Sequence, residues 1–410
     1  MIIHERAINN RLGFFLKPAG HLLIALTFFM AGCGNDQETT DGENAGNKDQ
    51  QSVAVDQCGV RVDETAWQVF ADIARRHQSD QDVGREDYQV FADLPIMTQW
   101  KASMTDHLPS VRIVNWLDRT YNPDQKTGKY SSDRRQFSVS YAYTIDHLND
   151  IDPLIKRFET EGHACNLMEK VNYWLSPDQV PDSLVVAFLP SKAEIRVLHQ
   201  YLFVDTGVLR AGSMQQLENQ LTGILFRARM QLHGDLPAAC EGKDAVANSV
   251  RVMMNEGIIG IIEDQPGTIF DSSHPNLGDF NIVPEYVYEH GIKTINLFNN
   301  HLPSMLADEK VMQEKGRNLA KTLIASSSLN QGGFCMSATI AGNLGKDSLR
   351  ATVGSPSAWL AAYQKAAKMN PVPAPEPYTV MDDMHMSMPP FDDSVYQGLQ
   401  EILKQAFTAP

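Results

Sequence analysis

The chain has 410 residues, 43% of them hydrophobic, and 50 acids against 35 bases give a formal net charge of −15. That apolar content fits a globular core of one large domain or two smaller ones. The acidic balance argues against nucleic acid, and against adhesion to anionic lipid headgroups.

In chain order, the first 32 residues read as a targeting segment. Arg6, Arg11 and Lys17 form a basic front, and the nine-residue apolar run Leu22–Met30 follows. A bilayer-spanning helix needs roughly 20 residues, so the run does not span. It ends in Met30-Ala31-Gly32-Cys33, which resembles the lipobox of bacterial lipoproteins. That resemblance implies cleavage before Cys33, a diacylglyceryl group on its sulfur, and palmitate-type acylation of the new N-terminus. Two or more acyl chains anchor stably, at about 0.8 kcal/mol per buried CH₂. Gly34 stands where an inner-membrane retention signal places Asp, which points to the outer membrane, with the folded part in the periplasm or at the surface. Residues 33–57 are polar and read as a flexible acidic tether. In such an oxidising compartment Cys58, Cys165, Cys240 and Cys335 are expected to form one or two disulfides, and three pairings of the four remain open.

Residues 58–180 read as a helical subdomain. Trp67, Phe70, Ile73 and Ala74 share one helical face from Asp63 onward. Further helices are expected at 87–100, 110–121, 152–161 (with Asp152-Pro153 as the start signal) and 164–175. Residues 181–370 change character. Ser183–Leu189 reads as a buried strand and Ile195–Val204 as one or two more. Ser213-Met-Gln-Gln216 is a capping box for a helix over 213–233, whose stripe is Leu217, Leu221, Ile224, Leu225, Ala228 and Leu232. Helices follow at 243–263, 284–290, 303–326, 333–344 and 347–353, with Gly345 as a stop, and another starts at Ser355-Pro356. Residues 371–410 hold a Pro- and Met-rich connector and a helix over 392–407, with Val395, Leu399, Ile402 and Ala406 facing the body.

The helix after the long one carries Met253-Met-Asn-Glu-Gly257. Here the chain resembles the gluzincin metallopeptidases, and most of all a family of zinc-dependent peptidases catalogued as a domain of unknown function. Gly333–Ile340, Leu344–Gly354 and Trp359–Ala367 are similar to that family's tail, so the resemblance covers about residues 180–368. It implies an α+β, mainly α-helical fold, with a small β-sheet preceding a long central helix. In such enzymes His-Glu-x-x-His puts two zinc-binding imidazoles on one helix face, with a Glu between them to polarise water. The third ligand is a Glu on the next helix, a setting that Asn255-Glu256-Gly257 matches. This chain instead reads Arg227-Ala228-Arg229-Met230-Gln231. Arg227 repels a metal, Ala228 moves no proton, and Gln231 replaces an imidazole. His233, about 200° around the helix from Gln231, faces away. The expectation is a pseudo-metallopeptidase without zinc and without a catalytic residue, in which Arg227 pairs with the remnant Glu256. Its role would be binding or scaffolding of an envelope protein or peptide, anchored through Cys33.

Two alternatives stand beside it. One is an active metal-dependent hydrolase with other ligands. The other is copper handling by Met381, Met384, His385, Met386 and Met388, since thioethers with an imidazole suit Cu(I); a packing role for the methionines competes with it. His163 beside Cys165 lacks an orienting third group for thiol catalysis. Asp146–Asp152 lacks the glycine and final Glu of a calcium loop. Gly332-Gly333 is not followed by Lys-Ser or Lys-Thr, and Gly354-Ser355-Pro356 is not a serine-hydrolase elbow.

Overall fold

The computed structural model describes residues 58–104, 108–121, 132–192, 194–210, 212–230, 240–264, 284–325, 328–369 and 388–407. The expected signal segment, Cys33 and the tether lie outside them, as do Gln231, His233, Met381, Met384, His385 and Met386.

The first half is a layer of helices on a small sheet. β1 (Val60–Asp63) leads into α1 (Thr65–Gln78), α2 (Arg85–Ala92), α3 (Pro95–Ala102), α4 (Ser110–Tyr121), α5 (Ser132–Asp146), α6 (Leu148–Thr160) and α7 (His163–Trp174). β2 (Leu184–Leu189), β3 (Ile195–Leu198) and β4 (Tyr201–Asp205) complete a four-stranded sheet of order β1-β2-β4-β3. β1 and β4 run parallel to β2, pairing Val60 with Leu184 and Tyr201 with Val185, while β3 runs antiparallel to β4. β2 is buried at all six positions, which is why Leu-Val-Val-Ala-Phe-Leu shows no alternation.

After a 3₁₀ turn (Thr206–Arg210) come α8 (Met214–Arg229), α9 (Gly242–Glu263), α10 (Pro284–Ala307), α11 (Glu309–Ala325), α12 (Ser328–Leu344), α13 (Lys346–Arg350), α14 (Pro356–Met369) and α15 (Asp393–Phe407). The whole is mainly α-helical with one small sheet before the long helices, an α+β arrangement. Among the described residues no helix is long and apolar enough to cross a membrane.

Several expectations need correction. The span 87–100 is two helices, because Pro95 starts α3 at its first turn and holds Leu94 extended. α6 begins at Leu148, so Pro153 lies inside it and Asp152 is not its cap. The Asp152 carboxylate instead accepts from the Trp67 indole at 2.5 Å and from Arg75. α5 was not expected, since Tyr141, Ser140 and Thr144 on its buried side read as polar. The span 58–180, expected to be helical, also supplies β1. α10 runs unbroken past 290 to Ala307 with Pro303 inside it, and Asp308 rather than residue 303 starts the next helix, accepting from Lys310 N at 2.8 Å. α12 starts at Ser328 rather than at 333.

Two covalent and polar devices fix the ends. Cys58 and Cys165 form a disulfide across a sequence separation of 107, tying the entry of β1 to α7, while Cys240 and Cys335 are free thiols. Closing a loop of that length restricts the unfolded chain by about 4–5 kcal/mol in the chain-entropy treatment. Ser213 caps α8 as its spacing predicts: its Oγ accepts from Gln216 N at 3.2 Å, and its own N–H donates to Gln216 Oε1 at 2.8 Å.

α9 is the axis of the second half. From Ala245 to Ile262 it has no exposed residue, because α8, α11, α12, α14 and α15 pack around it. Its approach to α12 is backbone on backbone. A methyl at Gly257 would fall 2.1 Å from the Gly333 carbonyl oxygen, and one at Gly333 the same distance from that of Met253. These atoms belong to two rigid helices and cannot step aside. Gly257→Ala and Gly333→Ala are each expected to cost about 1–3 kcal/mol or more through overpacking, read as lowered midpoints in thermal or urea unfolding. Gly84→Ala, at an open position, is expected to cost much less.

Candidate functional site

The α8–α9 contact holds the charged centre. α8 descends from its Ser213 cap and turns Gly223 and Arg227, four residues apart, toward α9. α9 answers with Glu256 and, seven residues on, Glu263. The two terminal guanidinium nitrogens of Arg227 donate to the two carboxylate oxygens of Glu256, the second at 2.9 Å, in a forked ion pair. The side chains are 17% and 11% exposed, so solvent screens the pair little. Burial works against the Arg227 charge, but the attraction and hydrogen bonds of Glu256 outweigh it and raise the Arg227 pKa.

The Glu263 carboxyl rests against Gly223, where a methyl would come 2.5 Å from its Oε1. Burial pushes this carboxyl up, Arg227 pulls it down and Glu256 pushes it up again; the outcome is about 8. Glu263 therefore favours its neutral form at pH 7.

A second buried carboxylate was missed by sequence reasoning. Glu218, on α8, takes His163 Nδ1 at 2.6 Å, Asn166 Nδ2 at 3.2 Å and Lys170 Nζ at 2.6 Å, all from α7. Burial alone would raise its pKa, but these donors hold it below the ordinary carboxylate range. It clamps α7 to α8. Nothing local marks it, for it follows Leu217 like any polar neighbour of an apolar stripe.

The other expected groups fall apart in space. Arg229 donates to the His199 carbonyl at 2.8 Å, at the β3–β4 turn. Ala228 and Met230 are half-buried, and Met230 Sδ accepts from Gln179 Nε2 at 3.1 Å. Cys165 is spent in the disulfide, which removes any His163–Cys165 thiol pair. Met388 is buried, and its methyl lies with Cys335 Sγ over Gly291; it packs, as a thioether in an irregular gap does. Burial pushes the Cys335 thiol to about 12, leaving it inert.

Residues 238–372 match the model of a family described as "Putative zinc dependent peptidase (DUF5700)". The match takes in α9 to α14, a third of the chain, and begins beyond α8. The similarity expected over 180–368 is therefore supported only from 238 onward. Comparison with curated proteins and with solved structures gives no match.

The description implies zinc, and the residues here do not fit it. Glu256 has both carboxylate oxygens on Arg227. Arg227, Ala228 and Arg229 bring no zinc-binding atom. Among the described residues no three His, Cys, Asp or Glu side chains converge as a ligand set. Removing one member of a buried pair strands the other. Glu256→Gln is thus expected to destabilise the fold by about 3 kcal/mol, and Arg227→Met with Glu256→Leu to recover most of it, as measured by urea unfolding of the single and double variants.

Proposed function

We propose that this protein is a lipid-anchored component of the cell envelope, in which a metallopeptidase-like helical core has exchanged its metal for the Arg227–Glu256 ion pair. The pair is the observation that carries the reading. It sits where the family resemblance puts a ligand helix and an Asn-Glu-Gly carboxylate side by side, and it consumes that carboxylate. Without a metal ion and without a base at Ala228, a water molecule has nothing to activate it, so the role is binding or scaffolding of a peptide or envelope protein. The family match over residues 238–372 supports the peptidase-like core. Support for the anchor comes from the basic front, the apolar run and Met30-Ala31-Gly32-Cys33, with the outer membrane favoured by Gly34. The Cys58–Cys165 disulfide agrees with an oxidising compartment.

The metal half of this reading is tested by rebuilding the lost motif. The triple variant Arg227→His, Ala228→Glu, Gln231→His frees Glu256 and returns two imidazoles at helical spacing. It is expected to take up one zinc per chain and to cleave a casein-type substrate. A folded triple variant that binds no zinc would show that α8 and α9 are not a relic metal site. For the anchor, Cys33→Ser is expected to move the protein from the membrane fraction to the soluble fraction and to abolish acyl labelling. Unchanged membrane association would refute it.

A further inference from the structure

The Glu263 carboxyl occupies a place made for it. α8 has no side chain at Gly223, and the carboxyl end of Glu263 fills that notch, with Cγ at 2.7 Å and Oε1 at 2.5 Å from where a methyl would stand. Such a position admits the carboxyl only because residue 223 is glycine. Arg227, one turn along α8, has both terminal nitrogens on Glu256. Glu263 receives no hydrogen bond among the described residues.

Glu263 is half-buried; a neutral carboxyl tolerates such surroundings, whereas a carboxylate there is favoured only by a donor, a cation or water. The charged groups acting on it are Arg227 from α8 and Glu256 from its own helix; no titratable group acts on it from α11, α12, α14 or α15 among the described residues. Ionisation would place two carboxylates against one guanidinium. It would also add a negative charge at the last residue of α9, the end where the helix dipole is already negative.

We propose that Glu263 is a proton-operated latch on the α8–α9 contact, closed while its neutral carboxyl fills the Gly223 notch and released when that carboxyl ionises. The ligand of the site is a proton, and the moving part is the final turn of α9, which ends at Asp264 in a left-handed cap. The latch does not depend on the peptidase-like reading, since it rests only on how these two helices meet.

The sign follows from linkage. The closed form keeps the proton up to about pH 8, while the released carboxyl returns to its ordinary 4.5. Between these values raising the pH favours release, and above the upper one the effect is complete.

Amide hydrogen exchange on the full chain, followed between about pH 6 and pH 9, tests this. Relative to Glu263→Gln at the same pH, the opening constant of the last turns of α9 is expected to rise about tenfold per pH unit and to level off near pH 8. An infrared band of a protonated carboxyl at neutral pH, absent from Glu263→Gln, is expected alongside. Gly223→Ala expels the carboxyl into solvent, and should lose both the band and the rise. Identical pH dependence in the wild type and Glu263→Gln, or no such band in the wild type, would overturn the latch.

Discussion

A carboxylate held among packed helices is favoured by a cation or else tends to give up its charge. α9 faces that demand twice, at Glu256 and at Glu263, and meets it in two ways. Glu256 keeps its charge because the Arg227 fork takes both of its oxygens. Glu263 has its pKa raised by burial and by Glu256 and so favours the neutral form, its carboxyl lodged where α8 has only a glycine. The enclosure itself comes from α8, α11, α12, α14 and α15, and it is tightest where Gly257 and Gly333 let two backbones touch. The Asn255-Glu256-Gly257 motif thus serves two contacts at once: its acid faces α8 and its glycine faces α12.

In the proposed reading, a metal-dependent relative would present imidazoles where this chain has Arg227 and Gln231. A guanidinium can neutralise a carboxylate as a metal ion does, but it cannot lower the pKa of a bound water. In the proposed reading, the exchange conserves the electrostatics of the core while giving up the chemistry. The Glu218 cluster behaves alike on the other side of α8, holding a buried carboxylate with donors from α7. α8 is therefore tied by charge to α7 on one flank and to α9 on the other. In the proposed latch, the movable part is the end of α9.

Much of this was legible in the sequence, for local reasons. Ser213 and Gln216 write a capping box whose geometry needs only four residues. The continuous apolar run of β2 and the faces of α1 and α4 are likewise local patterns. The Arg227–Glu256 contact could be anticipated because the family resemblance supplied a spatial relation that spacing alone does not contain. What escaped was non-local or chemically disguised. β1 is four residues long and acquires its meaning only beside β2, more than 120 positions later. α5 buries hydroxyls and tyrosines, which mimic a polar loop. Pro153 sits inside α6 although it looks like a helix start, because the turn before it is organised by Leu148 and Ile151 in the core. Glu263 looked like an ordinary polar residue at a helix end, and its partner is a missing side chain at Gly223, which no motif records.

The central claim is that Glu256 is committed to Arg227 and unavailable to a metal ion. Elemental analysis of the natively purified protein, prepared without chelators, tests this most directly. The account predicts far less than one zinc per chain, unchanged in Glu256→Gln. One tightly held zinc per chain in the wild type, lost on Glu256→Gln, would contradict it.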